Sequence, residues 1–102
     1  TLAIVVTNAR LTKPAVTKVA QMAHDGLARA VYPVHTSVDG DVVFAASISG
    51  SATPVEGLPD RSLAAVPDIV GAWGAHVVAE AIVRAVLSAK GTPDLPAASD
   101  LR

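Results

Sequence analysis

The pattern of hydrophobic and polar positions predicts strands and helices in alternation. Leu2–Thr7 and Val42–Ile48 are nearly continuous apolar runs of strand length, which is typical of strands covered on both faces. Between them, apolar residues spaced three and four apart predict an amphipathic helix that follows Thr12 as its N-cap and runs to about Ala30. Gly26 indicates close packing at that point of the helix, because glycine otherwise weakens a helix.

The second half of the chain is predicted to hold a loop, a helix and a tail. Ser49–Pro67 is rich in Gly, Ser and Pro and predicts a long surface loop. Asp68–Ala89 predicts a helix whose few polar residues recur at intervals of four, so that it has to pack on more than one side. Gly91–Arg102 shows no periodicity. We therefore expect one folded unit over residues 1–90 and a tail over residues 91–102.

The order strand, helix, strand, helix predicts an α/β (α+β) fold. Strands buried on both faces need a layer above and a layer below, which two helices on a two-stranded sheet do not provide. We expect other strands to complete the fold as stacked sheets between helices. Alanine (20) and valine (16) dominate the composition, and charged residues make up only 17%. Such sparse polar cover on a small domain favours a second chain over much of its surface.

Charge and composition exclude several classes of function. A net charge of −1 removes the electrostatic basis for binding nucleic acid or an anionic membrane. The absence of cysteine excludes disulfides, zinc–cysteine sites and thiol nucleophiles. The longest apolar stretch, Ile69–Ala89, contains Glu80 and Arg84 and is not predicted to span a membrane. The three histidines are not spaced as metal ligands, so we expect neither a metal nor a cofactor.

Thr1 is the strongest candidate for a catalytic residue. A threonine at a free N-terminus combines a nucleophilic hydroxyl with its own α-amine as the base. Amines of this kind ordinarily titrate at about 7.7–8.0, close to the pH at which a general base works best. A first residue other than methionine indicates a chain that is processed, trimmed or incomplete at its front. No signal peptide is visible, and we expect a cytoplasmic location in a bacterium.

Three stretches of sequence support this candidate as a combination: TLAIVVTNARLTK, AHDGLARAVYPVHTSVDGDVVFA and VGAWGAHVVAEAIVRAV. Together they resemble the small β-chain of the DmpA-type aminopeptidases and the nylon-oligomer (6-aminohexanoate oligomer) hydrolases. The resemblance implies a precursor that cuts itself in front of a serine or threonine. It also implies two fragments that stay together in an αββα sandwich, with the new terminal residue as the nucleophile for amide hydrolysis.

The resemblance implies roles for individual residues. Thr1 matches the nucleophile, and threonine instead of serine favours the nylon-oligomer-hydrolase branch. Asp39 and Asp41 match the aspartates beside that nucleophile, where a carboxylate holds and orients the ammonium group; the alternative interpretation of the pair is a solvated turn. His35 and Thr36 lie in the matching stretch and are interpreted as structural, because this mechanism leaves no vacancy for an imidazole. The oxyanion donors are expected from the α-chain.

The sequence therefore predicts the catalytic β-chain of a self-processing amidohydrolase that cleaves short peptides or ω-amino-acid oligomers. Its expected partners are the α-chain of the same precursor and, by resemblance, further αβ pairs in a higher oligomer, with no nucleic acid and no membrane. Two alternatives stay open. One is the β-chain of an ornithine-acetyltransferase-like acyl transferase, which shares the terminal threonine. The other is a non-catalytic α/β interaction subunit whose apolar faces dock a partner.

Overall fold

The computed structural model describes residues 1–48 and 60–101, and its elements follow the predicted order. They are strand β1 (Leu2–Thr7), helix α1 (Lys13–Ala30), strand β2 (Val42–Ser47), helix α2 (Asp60–Ser88) and a short 3₁₀ helix, Ala98–Leu101. The prediction of an α/β fold is confirmed.

Helix α1 begins and ends where its sequence predicts. The Thr12 hydroxyl accepts a hydrogen bond from the Ala15 N–H at 3.4 Å, and a proline occupies the first turn. At the other end, the Val31 N–H donates to the Leu27 carbonyl at 2.8 Å. The face between these caps is buried at Val19, Ala23, Gly26 and Leu27. An N-cap and an apolar stripe of helical spacing are thus enough to define this element.

Helix α2 is longer than predicted. It begins at Asp60, so residues 60–67 of the predicted loop are helical and Pro67 lies inside the helix. The prediction was wrong because it treated proline as the boundary, whereas the preceding Leu63, Ala64 and Ala65 are strong helix formers. The rest of that predicted loop, residues 49–59, lies outside the described residues.

The tail has local structure despite its lack of periodicity. Thr92 and Leu95 form an isolated antiparallel bridge, and the 3₁₀ helix follows it. The Ala97 N–H donates to a carboxylate oxygen of Asp100 at 2.8 Å. The division into a unit over residues 1–90 and a separate tail stays a prediction.

The two strands form a parallel sheet covered by the helices on one face. Leu2 pairs with Val42 and Thr7 with Ser47, and α1 is the connection between the strands. On the covered face, Val5 and Val43 pack against the buried side of α1. The opposite face is exposed at Leu2, Ile4, Val6 and Phe44. This chain alone therefore covers one face of its sheet, and the cover expected on the other face stays a prediction.

Helix α2 crosses α1 at close range over Gly26. A Cβ placed on Gly26 would overlap the carbonyl oxygen of Ala75 and lie 2.9 Å from the Cβ of Val78. The close packing that the sequence predicts at Gly26 is confirmed. The contact anchors one side of α2, while Ile69 and Trp73 stay exposed on it.

The segment Val66–Ser88 of α2 is long and apolar enough to cross a membrane, with a mean hydropathy of 1.5. Helices packed inside proteins meet the same criterion of length and composition. The expectation that this chain does not bind a membrane stays a prediction.

Candidate active site

The register of the sheet brings Thr1 and Asp41 together. The strands are parallel and Leu2 pairs with Val42, so the residue before each strand lies at the same edge of the sheet. The Val42 N–H donates to the Thr1 carbonyl oxygen at 2.9 Å and extends the ladder by one bond. Two residues that are 40 positions apart in sequence thereby become neighbours.

The Thr1 amine and the Asp41 carboxylate form an ion pair. The amine nitrogen lies 2.6 Å from Oδ1 of Asp41, whose side chain is only 7% exposed. The pKa of Asp41 is lowered to about 2, mainly by the hydrogen bond from the Thr1 ammonium. Desolvation raises this pKa, whereas the hydrogen bonds from His35 lower it further. Asp41 is therefore ionised throughout the neutral pH range.

His35 binds the second oxygen of the same carboxylate. Its Nδ1 lies 2.8 Å from Oδ2 of Asp41, and its backbone N–H donates to that oxygen at 3.2 Å. This contact was not predicted from the sequence, because the proposed mechanism needs no imidazole to transfer protons and His35 was therefore interpreted as structural. His35 lies six residues before Asp41 in the loop that leads into β2, a spacing that does not by itself predict a contact.

Asp39 has a different environment. Its Oδ2 accepts a hydrogen bond from the Thr36 N–H at 2.9 Å, and its own N–H donates to the Thr36 carbonyl at 3.0 Å. These two bonds close a turn over residues 36–39. Of the two aspartates singled out in the sequence, the structure brings Asp41 to Thr1 and places the carboxylate of Asp39 on this turn.

A cavity of about 640 Å³ opens beside Thr1 between β1 and α2. Most of its wall is aliphatic and includes Val77, Val78 and Ile82, and the Thr1 side chain is 37% exposed. An uncharged chain can therefore lie within reach of Thr1. Within residues 1–48 and 60–101, no three His, Asp or Glu side chains are grouped so as to hold a metal ion.

Comparison with known proteins identifies the family. Residues 1–96 match peptidase family S58, and the chain belongs to this family. A protein named uncharacterized aminopeptidase from Mycobacterium tuberculosis is 35% identical over 99% of this chain. One of the same name from Mycobacterium leprae is 38% identical over 94% of it. No solved structure matches the chain significantly.

The chain is much shorter than the relatives that it matches. The chain spans 30% of the length of the M. tuberculosis relative and 27% of that of the M. leprae relative. Most of the length of these relatives therefore has no counterpart in this chain.

Proposed function

We propose that this chain is the catalytic β-chain of a self-processing amidohydrolase in which Thr1 is the nucleophile. The observation that carries the proposal is the 2.6 Å ion pair between the Thr1 amine and the nearly buried Asp41 carboxylate. The pair brings the Thr1 amine, which is the proposed base, next to a carboxylate that can balance its positive charge. The match of residues 1–96 to a peptidase family supports the cleavage of an amide bond.

The proposed reaction uses both functional groups of Thr1. The hydroxyl oxygen attacks the carbonyl carbon of the amide, and its proton passes to the free α-amine directly or through one water molecule. The resulting ammonium is stabilised by Asp41 and then gives its proton to the leaving amine nitrogen as the C–N bond breaks. Water attacks the remaining threonine ester, which releases the acid and restores the hydroxyl.

The proposed substrates are short peptides or ω-amino-acid oligomers such as those of 6-aminohexanoate. The names of the relatives support an aminopeptidase-like activity. The aliphatic wall of the cavity beside Thr1 supports a substrate with an uncharged methylene chain next to the scissile amide. Threonine at the first position supports the nylon-oligomer branch among these substrates.

The proposed partner is an α-chain cut from the same precursor, which also supplies the oxyanion donors. Two observations support it: the relatives are more than three times as long as this chain, and one face of the sheet is open. We propose that the complete fold is an αββα sandwich and that αβ pairs assemble further. Cutting occurs when the Thr1 hydroxyl attacks the preceding carbonyl and turns that amide into an ester, which water then hydrolyses.

The test is substitution of Thr1 in the full-length precursor. Thr1→Ala removes the oxygen, so the precursor stays uncut by intact mass spectrometry and does not hydrolyse amino-acid p-nitroanilides or 6-aminohexanoate oligomers. Thr1→Ser keeps the oxygen and loses the methyl group that restricts χ1, so it still cuts itself and keeps partial activity. A Thr1→Ala precursor that yields two chains and full activity contradicts the proposal. Product analysis with added amino acids separates hydrolysis from acyl transfer.

A further inference from the structure

We propose that His35 is a positioning residue for the nucleophile, which holds the Asp41 carboxylate in the orientation that engages the Thr1 amine. The proposal rests on the proposed function of Thr1. The two carboxylate oxygens have separate tasks: Oδ1 binds the amine at 2.6 Å, and Oδ2 binds Nδ1 of His35 at 2.8 Å. A carboxylate held at both oxygens cannot turn about its last side-chain bond without breaking one of these contacts.

The direction of the His35 hydrogen bond follows from the charge of Asp41. An ionised carboxylate has only acceptor oxygens, so the proton between the two groups belongs to Nδ1 of His35. The backbone N–H of His35 donates to the same Oδ2 of Asp41 at 3.2 Å. Both donors of His35 thus occupy one oxygen and leave the other to the amine.

The His35 ring is itself held in place by its surroundings. The backbone of His35 is in the left-handed region, with φ at 54°, which histidine and asparagine tolerate better than most residues. Its ring packs on that of His24, with centroids 5.2 Å apart and planes tilted by 57°. The turn over residues 36–39 follows directly. The contact with the His24 ring and the hydrogen bond to Asp41 are the interactions that orient the Nδ1 donor.

Two substitutions separate the side chain of His35 from its backbone. Glycine (His35→Gly) accepts the left-handed conformation and deletes the ring donor. Asparagine (His35→Asn) also accepts it, and its amide NH₂ can take the place of Nδ1. Made in the full-length precursor, H35G is expected to lower kcat about 10- to 100-fold with KM changed less than about threefold, because the lost bond acts on the nucleophile and not on substrate. H35N is expected to recover most of kcat.

A matched control and a second pair of variants keep this comparison decisive. His76→Asn makes the same exchange at an exposed histidine of α2 that pairs with Glu80, and it leaves kcat unchanged. If H35G does not fold, H35N is compared with His35→Asp. Aspartate has the same shape as asparagine, but it has no amide donor and faces Asp41 with a like charge. An equal kcat in H35N and His35→Asp overturns the proposal. A wild-type kcat in H35G overturns it as well.

A double-mutant cycle shows whether His35 acts through Asp41. In the Asp41→Asn background the carboxylate to be oriented is gone, so adding H35G lowers kcat by less than about twofold. The same fold-loss from H35G in both backgrounds means that His35 acts elsewhere, which overturns the proposal. The two proposals fail in different experiments. Full activity in Thr1→Ala contradicts Thr1 as the nucleophile, whereas the double-mutant cycle tests only His35.

Discussion

At the scale of single residues, Asp39 and Asp41 show how two identical side chains come to have different environments. Asp41 immediately precedes β2 and lies opposite Thr1 through the strand register. Asp39 lies two residues earlier, where its carboxylate accepts from the Thr36 N–H and closes a turn. A turn of this kind sets the path of the loop, whereas Asp41 pairs with the charged amine of Thr1.

The isosteric variants Asp39→Asn and Asp41→Asn are expected to differ in activity. In D39N the amide oxygen still accepts from the Thr36 N–H, so kcat/KM stays within about threefold of the wild type. In D41N a single acceptor oxygen replaces two and the counter-charge is lost, so kcat/KM falls about 10- to 100-fold. Steady-state kinetics of the processed full-length variants measure this difference. Equal losses of kcat/KM in both variants would show that the two aspartates share one role.

The pKa of Asp41 also predicts a dependence of stability on pH. Folding lowers this pKa from 3.8 to about 2. As the pH falls, the Asp41 carboxylate is therefore protonated at a higher pH in the unfolded chain than in the folded chain. The stabilising contribution of Asp41 is therefore complete above about pH 5 and is lost as the pH falls from about 4 to 2. Denaturant unfolding of wild type and D41N checks this. The difference between their free energies of unfolding is expected to be constant above pH 5 and to shrink below pH 4; a difference unchanged at pH 2 contradicts it.

The residue types at the site could be found from the sequence, but their contacts could not. The chemistry of an N-terminal threonine points to Thr1, and the family resemblance points to Asp39 and Asp41. Spacing alone does not tell which of the two carboxylates turns back on its own loop. His35 was interpreted as structural because no proton transfer required it. Its role depends on a left-handed backbone that directs two donors to one oxygen, and no local sequence pattern specifies that geometry.

At the scale of elements, the contact between α1 and α2 depends on small residues facing each other. Gly26 of α1 meets the backbone of α2 at Ala75 and the side chain of Val78. Gly74 of α2 faces Ala23 and Val19 of α1. A Cβ added to Gly74 would lie 3.6 Å from the Cβ of Ala23 and 3.7 Å from Cγ1 of Val19, which are ordinary van der Waals distances. The two glycines lie in the same interface but leave different amounts of room.

Exchanging each glycine for alanine is expected to have opposite effects on stability. Gly26→Ala forces α2 away from α1 because its Cβ meets a backbone oxygen, which costs about 1–3 kcal/mol. Gly74→Ala fits the available space and gains up to about 1 kcal/mol from helix propensity. Thermal and denaturant unfolding of the processed full-length variants compare the two directly. Equal destabilisation by both substitutions would show that the helices do not pack in this way.

The accuracy of the predicted elements followed the strength of their local signals. β1 and α1 were predicted well because a short apolar run and an N-cap with a periodic stripe are local features. The start of α2 at Asp60 was missed because Pro67 resembled a boundary. Helix-forming residues on both sides of a proline can carry a helix through it, and the sequence pattern does not measure that balance.

At the scale of the whole molecule, the chain is more extended than a compact domain. Its Cα radius of gyration is 16.7 Å, whereas a compact domain of this length has about 13 Å. Ile4 and Phe44 are 65% and 57% exposed on the open face of the sheet. Adjacent exposed aliphatic and aromatic side chains on a sheet are typical of a surface that another layer covers.

The open face of the sheet predicts that residues 1–102 expressed alone self-associate and bind a hydrophobic dye strongly. Ile4→Lys and Phe44→Lys place charges on that face, so they lower dye binding by the isolated chain. In the full-length precursor the same substitutions prevent stable association of the two fragments, because an unpaired charge would be buried.

Val38→Lys is the matched control, since Val38 is 90% exposed and lies outside the strands; it leaves both properties unchanged. Sedimentation velocity and dye fluorescence measure the outcome. A monomeric isolated chain that unfolds cooperatively without binding dye contradicts the prediction, because such a chain would need no second layer over Ile4 and Phe44.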